Sequence, residues 1–167
     1  MRQSLREITV GSELGAVLEE SQVCHLALNR PGQAPYLVAL SFGYDYSPAT
    51  GSLTLWFHCA DEGYKLELLE ADDKVGFQLE CKVAVRRGSD ELACDWGMQF
   101  ESIVGEGRLN LVDDAGQRLY GLRRLTAHYG AAGLGMPEEA LRRTAVLRLD
   151  ATGFTAKRSR GLWPQLV

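Results

Sequence analysis

The chain has 167 residues, of which 46% are apolar, and this length and composition suit a single domain with one hydrophobic core. Its 18 Lys and Arg against 22 Asp and Glu leave a net charge of −4, which argues against attraction to nucleic acid or to an anionic membrane surface. We therefore treat residues 1–167 as one domain and expect no nucleic-acid or membrane partner.

The sequence also lacks the usual signals for export and for metal binding. It has no apolar run long enough to span a bilayer, and its first residues lack the apolar segment of a secretory signal, which favours a cytoplasmic location. The four cysteines include no C-x-x-C pair. We therefore expect neither a disulfide framework nor a zinc site, and we predict no metal ligands.

The N-terminal third predicts a short helix followed by β structure. Ser12 can cap the helix, whose apolar residues recur at i, i+3, i+4 spacing. Val23 to Asn29 predicts a strand, and Pro31-Gly32 suits the turn of a hairpin. The return strand, Tyr36 to Tyr46, carries large side chains on one face and smaller ones on the other.

The next strand leads directly into a predicted helix. Ser52 to Ala60 alternates as a third strand, and Asp61 is a suitable N-cap for a helix that Asp72-Asp73 ends. The amides of a first helical turn and the helix dipole favour an anion, so Gly63 and Lys65 at this junction suit a phosphate site. A capped helix with a solvated lysine would show the same pattern.

The second half adds long strands and two more helices. The strand predicted around Val75 to Cys81 precedes a longer one from Met98 to Val112, where Gly105 and Gly107 indicate a bulge or the close approach of a ligand. Helices are predicted from Asp113 to Tyr129 and from Pro137 onward. The last strand, Ala145 to Asp150, is predicted to turn at Thr152-Gly153 and to continue to Arg158.

Together these elements predict an α+β fold that is mainly β. Six or seven antiparallel strands with helices between them are typical of a small closed or split barrel that carries its helices on the outside. No P-loop, G-x-S-x-G or G-x-G-x-x-G motif is present, so NTPase, hydrolase and Rossmann functions lose their usual support. His58 lies at a strand end where a ligand could meet it, although a lone strand histidine is more often structural.

Five short blocks carry a family pattern over about residues 6 to 110. The two strongest are F-H-x-A-x-x-G-x-K, from Phe57 to Lys65, and E-S-I-V-G-x-G, from Glu101 to Gly107. In these blocks the chain resembles the FMN-binding split-barrel family related to pyridoxamine 5′-phosphate oxidase, and within it the branch of 5-nitroimidazole-resistance (Nim) proteins. The other three blocks are Arg6-Glu7-Ile8, Val23 to Asn29, and Pro35 to Tyr44.

The resemblance implies a homodimer of split barrels that binds FMN in clefts at the subunit interface, with the phosphate near the strand-to-helix turn. Ser102 would touch the cofactor from the long strand. His58, the candidate catalytic residue, would also approach a small-molecule substrate above the flavin. Backbone groups of Val38, Ala39, Leu40 and Ser41 would line the isoalloxazine, and His58, Cys59 and Lys65 would surround the ring edge and phosphate.

Some positions depart from the family pattern. Tyr64 stands where the wider oxidase family has a phosphate-binding basic residue, and Ala39 stands where the branch usually has proline. Ala156 replaces a glycine before Lys157. The oxidase's substrate-binding motif is not apparent in residues 161–164, so we do not expect oxidation of pyridoxamine phosphate.

Three functions stay open at this point. The first is an FMN-dependent oxidoreductase acting on a small molecule, with a nitroaromatic as one candidate substrate. The second is a non-catalytic flavin- or haem-binding module for storage or sensing, in which His58 or His25 would ligate haem. The third is an interaction protein whose barrel has lost its cofactor.

Overall fold

The computed structural model describes residues 4–159, and its main feature is an antiparallel sheet of eight strands. Four helices and two short 3₁₀ turns, Ser4–Arg6 and Ala93–Asp95, complete this part of the chain. The strands are β1 (Glu7–Ile8), β2 (Cys24–Leu28), β3 (Tyr36–Leu40), β4 (Phe42–Ser47), β5 (Ser52–Ala60), β6 (Lys74–Arg86), β7 (Gly97–Leu111) and β8 (Thr144–Arg158); the helices are α1 (Gly11–Glu20), α2 (Tyr64–Ala71), α3 (Ala115–His128) and α4 (Glu138–Arg142).

The sheet curls into a split barrel, as the order of its strands shows. Seven strands follow the order β3-β2-β6-β7-β8-β5-β4, and β1 pairs with β8. The two outermost strands, β3 and β4, are separated in the chain by Ser41 alone. Because consecutive Cα atoms are about 3.8 Å apart, the two ends of the sheet must meet at this residue. Within residues 4–159, however, no hydrogen-bonded ladder joins β3 to β4 or β5, so the barrel stays split there.

The single strand predicted from Tyr36 to Tyr46 is therefore wrong, although its two faces are confirmed. β3 pairs with β2, whereas β4 pairs with β5, and Ser41 marks the change of partner. Alternation persists through the break because both halves face the same core. The large residues of both strands pack against that core: Tyr36, Val38, Leu40, Phe42, Tyr44 and Tyr46.

The main core fills the barrel and is closed by two helices. Strand β5 contributes Leu55 and Phe57, which are almost completely buried. Val17 and Leu18 of α1 are fully buried in the same cluster, and Leu68 of α2 joins it. Burial of this apolar surface is the principal stabilising contribution to the barrel.

Helix α3 packs on the outside of β4 and β5, as predicted. Trp56 points away from the barrel into a second apolar cluster that includes Leu122 of α3. The contact is close: a Cβ on Gly121 would lie 2.5 Å from Trp56 Cε3, and one on Gly43 would lie 2.4 Å from the α3 backbone. Trp56 Nε1 also donates a 2.7 Å hydrogen bond to Asp45.

The glycines of β7 lie at a β-bulge, and the turn predicted in β8 is wrong. Glu106 pairs with Gly153, but Gly107 pairs with Ala151, so Thr152 is the extra residue of an unbroken strand. A Cβ on Gly107 would lie 2.4 Å from the carbonyl oxygen of Asp150. Neighbouring backbone, rather than a ligand, therefore occupies the space beside this glycine.

Both helix caps predicted from the sequence are wrong. Helix α1 begins at Gly11, where the missing Cβ permits close contact with Pro48, so Ser12 lies inside the helix. Strand β5 continues to Ala60, and the chain needs residues 61–63 to turn into α2, so the N-cap is Gly63 instead of Asp61.

Candidate functional site

Two chain segments named as site residues face each other across the split in the barrel. We call this unpaired line between β3 and the end of β5 the seam. The β4–β5 ladder ends at the pair Phe42–Phe57, and beyond this pair Leu40 and Ser41 on one side diverge from His58 and Cys59 on the other. Each segment bonds through its other edge, β3 to β2 and residues 58–60 of β5 to β8. Backbone N–H and C=O groups that line the seam are therefore available to a ligand.

Side chains of the β3 site residues alternate between core and solvent. Val38 and Leu40 are half-buried and pack against the barrel core, whereas Ala39 and Ser41 are exposed. The core therefore holds the strand in place while its outer edge stays open. This arrangement suits a role in which backbone atoms line a ligand.

His58 lies on the outer face of β5, the face that also carries Trp56. The residue is exposed at the strand end, but partial burial of the imidazole lowers the pKa of His58 below its ordinary value of 6.5. The ring is therefore neutral at pH 7 and has one nitrogen that donates and one that accepts a hydrogen bond.

Cys59 and Lys65 come together at the junction of β5 with α2. Burial raises the pKa of the Cys59 thiol, and the nearby Lys65 ammonium partly offsets this effect. The carboxylate of Asp61 acts in the same direction as burial. The thiol therefore stays protonated at pH 7 and is not an activated nucleophile.

The start of α2 is open to an approaching anion. Gly63 has φ 123° and ψ 165°, a conformation that side-chain-bearing residues rarely adopt. A Cβ built on it would meet no described atom within 4 Å. The first-turn amides and Lys65 thus lie next to open space. Carboxylates surround the same helix, because a cavity of about 500 Å³ beside it is lined by Asp61, Glu62, Glu67, Glu70 and Asp73, among others.

Ser102 does not join this site within one chain. It pairs with Lys157 on β8, whereas His58 pairs with Val146 on the same strand. Val146 and Lys157 are eleven residues apart, which corresponds to on the order of 30 Å along a strand. Ser102 is 3% exposed, and its Oγ has no hydrogen-bond partner among the described residues.

The outer face of the sheet near Ser102 is a second region that sequence analysis did not identify. An open cavity of about 1020 Å³ lies there, lined in part by Gly76, Gly105 and Gly153. Val104 in its wall is 45% exposed, and no helix within residues 4–159 lines this cavity. The sequence feature that could have revealed this region is Val104, an apolar residue on the strand face opposite to the core.

Arg30 is a further residue that sequence analysis missed. Its guanidinium carbon lies 5.8 Å from the centre of the Tyr64 ring, at the start of α2. Tyr36 of β3 meets the same ring edge to face, with 5.5 Å between ring centres. Arg30 follows β2 and is distant from Tyr64 in sequence, so periodicity along the chain could not reveal this contact.

Two other expectations concern cysteines and membrane segments. Cys24 and Cys81 are buried, Cys94 is exposed, and none of the four cysteines is in a disulfide. No helix between residues 4 and 159 has the length and apolarity to cross a membrane. The segment 161–164, considered above for a substrate motif, lies outside the described residues.

The fold is shared with several solved structures. A candidate 5-nitroimidazole antibiotic resistance protein of Bacteroides thetaiotaomicron is 20% identical, with a TM-score of 0.75 over 91% of this chain and 86% of that one. An FAD- and haem-binding protein of Mycobacterium smegmatis is 20% identical, with a TM-score of 0.76 over 97% and 77%. A flavocytochrome of Azotobacter vinelandii is 16% identical, with a TM-score of 0.76 over 99% and 75%.

Sequence comparisons match the chain to one protein family but to no individual curated protein. No curated protein matches the chain. The sequence model of the pyridoxamine 5′-phosphate oxidase family matches residues 12–158, from α1 to the end of β8. This match covers most of the sequence and all of the seam, and on this basis the chain belongs to the pyridoxamine 5′-phosphate oxidase family.

Proposed function

We propose that this protein binds FMN and acts as a flavin-dependent oxidoreductase on a small molecule. The observation that carries the proposal is the seam, where two open backbone edges run toward a helix start beside Lys65. The solved neighbours that bind flavin, a flavocytochrome and an FAD- and haem-binding protein, support a flavin. A helix start with Lys65 suits the single terminal phosphate of FMN.

The residues at the seam fit the two ends of this cofactor. An isoalloxazine ring is flat and has hydrogen-bonding atoms along one edge, which the backbone of residues 38–41 and 58–60 can contact. Gly63 leaves room for the phosphate to reach the first amides of α2. Lys65 is placed to neutralise part of its charge.

FMN would supply the redox chemistry when bound, and the chain would supply orientation and proton control. The open edges of β3 and β5 would hold the isoalloxazine ring. His58, the proposed catalytic residue, is neutral at pH 7 and keeps a proton on one ring nitrogen. It can donate that proton in a hydrogen bond to a small molecule lying above the ring.

A homodimer would complete the site. Ser102 of β7 pairs with Lys157, which is too far along β8 from Val146 for Ser102 to reach the seam of its own chain, but its face of the sheet has an uncovered apolar residue and an open cavity. A second copy packed on this face could bring its Ser102 to the cofactor. The hydroxyl of Ser102 is unpaired but almost fully buried within its own chain, so neighbouring side chains would have to move before it could reach the cofactor.

The absorbance spectrum of the purified protein after FMN titration and desalting tests the proposal. We expect stoichiometric retained flavin, bleaching by a nicotinamide donor, and return of the oxidised spectrum when a nitroaromatic acceptor is added. A protein that stays colourless would contradict flavin binding. A protein that keeps flavin but does not react with any donor would be a binding module.

Haem binding is a second candidate, favoured by one observation on the outer face. His25 is exposed on β2, where an approaching haem iron could reach its imidazole, and a Glu80 oxygen lies 3.8 Å from its Nδ1. Two of the solved neighbours are a flavocytochrome and a haem-binding protein. A Soret band after haem titration that is lost in the His25→Ala variant would support this function.

A further inference from the structure

The proposed phosphate site has more negative than positive charge in its immediate surroundings. Asp61 and Glu62 precede α2, and Glu67 lies in its first turn. Lys65 is the basic residue of that turn, since position 64 is tyrosine. A phosphate would be repelled by these carboxylates unless a second cation lay close to the helix start.

Arg30 lies at this helix start over the ring of Tyr64. Its guanidinium carbon lies 5.8 Å from the centre of the Tyr64 ring, and Tyr64 is the first residue of α2. The Tyr64 ring in turn rests against Tyr36 in an edge-to-face contact with 5.5 Å between centres. The β2–β3 turn therefore places the positive charge of Arg30 at the N-terminal end of α2, where Lys65 also lies.

Only some of the guanidinium N–H groups of Arg30 have hydrogen-bond partners among the described residues. One terminal nitrogen donates to Gln33 Oε1 in the same turn. Its Nε is buried and has no partner among the described residues. A guanidinium has five N–H donors in a planar fork that matches phosphate oxygens, so Arg30 retains donors for a ligand.

We propose that Arg30 supplies the second positive charge for the flavin phosphate, a charge that the tyrosine at position 64 does not provide. Tyr64 then serves as the platform that holds the guanidinium. This inference rests on the proposed function, because the phosphate in question is that of FMN. It adds a residue from the β2–β3 turn to the site and predicts selectivity for phosphorylated flavins.

The test compares FMN with riboflavin, which lacks the phosphate, in fluorescence titrations. We expect the Arg30→Gln variant to bind FMN about tenfold or more weakly, the effect of losing a charged hydrogen bond. Its affinity for riboflavin should stay within about twofold of wild type. Arg123→Gln, a change at an exposed position of α3, is the matched control and should leave both affinities unchanged.

A second variant separates charge from local structure. Adding Tyr64→Arg to Arg30→Gln returns a cation to the helix start, so the double variant should regain FMN affinity. Failure to regain it would contradict the replacement of one cation by the other. Thermal melts of each variant, together with retained riboflavin binding, show that the barrel is folded.

The outcomes also separate this inference from the proposed function. Equal loss of FMN and riboflavin in Arg30→Gln, or no loss of either, would overturn the role of Arg30. A selective loss of FMN in Lys65→Ala without one in Arg30→Gln would overturn this inference alone. A wild-type protein that binds neither flavin would overturn both.

Discussion

Lys65 is the residue on which the phosphate assignment most directly depends. It lies in the first turn of α2 beside Cys59, with open space in front of Gly63. We expect Lys65→Ala to weaken FMN binding by about 1–3 kcal/mol, the range for losing a charged hydrogen-bond partner. Fluorescence titration with FMN measures this change, and Arg143→Ala is a control at an exposed position. A Lys65→Ala variant with unchanged FMN affinity would contradict the assignment of the phosphate to the start of α2.

His58 should make stability depend on pH in a defined direction. Partial burial lowers the pKa of His58 in the folded chain below 6.5, the value that the unfolded chain keeps. Between the folded and the unfolded pKa, the unfolded chain therefore binds more protons than the folded one. Its contribution to stability is therefore fully present above about pH 6.5 and is lost as the pH falls toward the folded pKa.

An NMR titration of the imidazole should accordingly give a midpoint below 6.5. The His58→Gln variant should show a flatter dependence of melting temperature on pH in this window, whereas His25→Gln serves as the comparison. A His58 ring that titrates at or above its ordinary value would contradict the burial seen at the strand end.

At the scale of elements, Gly63 controls how β5 passes into α2. Its φ of 123° falls where other residues are strained, and a Cβ would meet only open space, so the cost of substitution is conformational. We expect Gly63→Ala to lower the free energy of unfolding by about 1–3 kcal/mol and to weaken FMN binding by displacing the first turn.

Urea unfolding measures this loss. Gly135→Ala is the matched control, because its Cβ would also point into open space but its φ is not in the left-handed region. We expect that control to stay within about 0.5 kcal/mol of wild type. Equal stability of the two variants would mean that the backbone at Gly63 relaxes without cost.

At the scale of the whole molecule, the outer face of the sheet is the proposed dimer interface. Val104 is 45% exposed there and lines the large open cavity. Val104→Asp would bury an unpaired carboxylate in the interface, which is strongly unfavourable. We expect this variant to be monomeric and to lose FMN affinity, because Ser102 of the second copy would no longer reach the seam.

Size-exclusion chromatography with light scattering gives the oligomeric state of each variant. Leu134→Asp is the control, since Leu134 is 70% exposed between α3 and α4 and does not line this cavity. A Val104→Asp protein that stays dimeric would place the interface elsewhere. A wild-type monomer that still binds FMN would show that the seam alone suffices.

Local sequence patterns predicted most of the elements. Strand β5 begins and ends where alternation predicted, and the bulge in β8 lies opposite the β7 glycines, because side-chain period and glycine conformation are local properties. The errors fell where neighbours in space decide. Ser12 and Asp61 had cap chemistry, but a contact with Pro48 and the turn through Gly63 determined where the helices begin.

By itself the sequence determined the mainly β fold, the inward faces of the strands, the family, and the choice of Lys65 and His58 as candidates. Only the tertiary structure decided that one strand divides at Ser41, that Ser102 lies far from His58, and that Arg30 stacks on Tyr64. The physical reason is the curling of the sheet. A strand's period is set by its own backbone, whereas its partner across the barrel is set by closure of the whole sheet around a shared core.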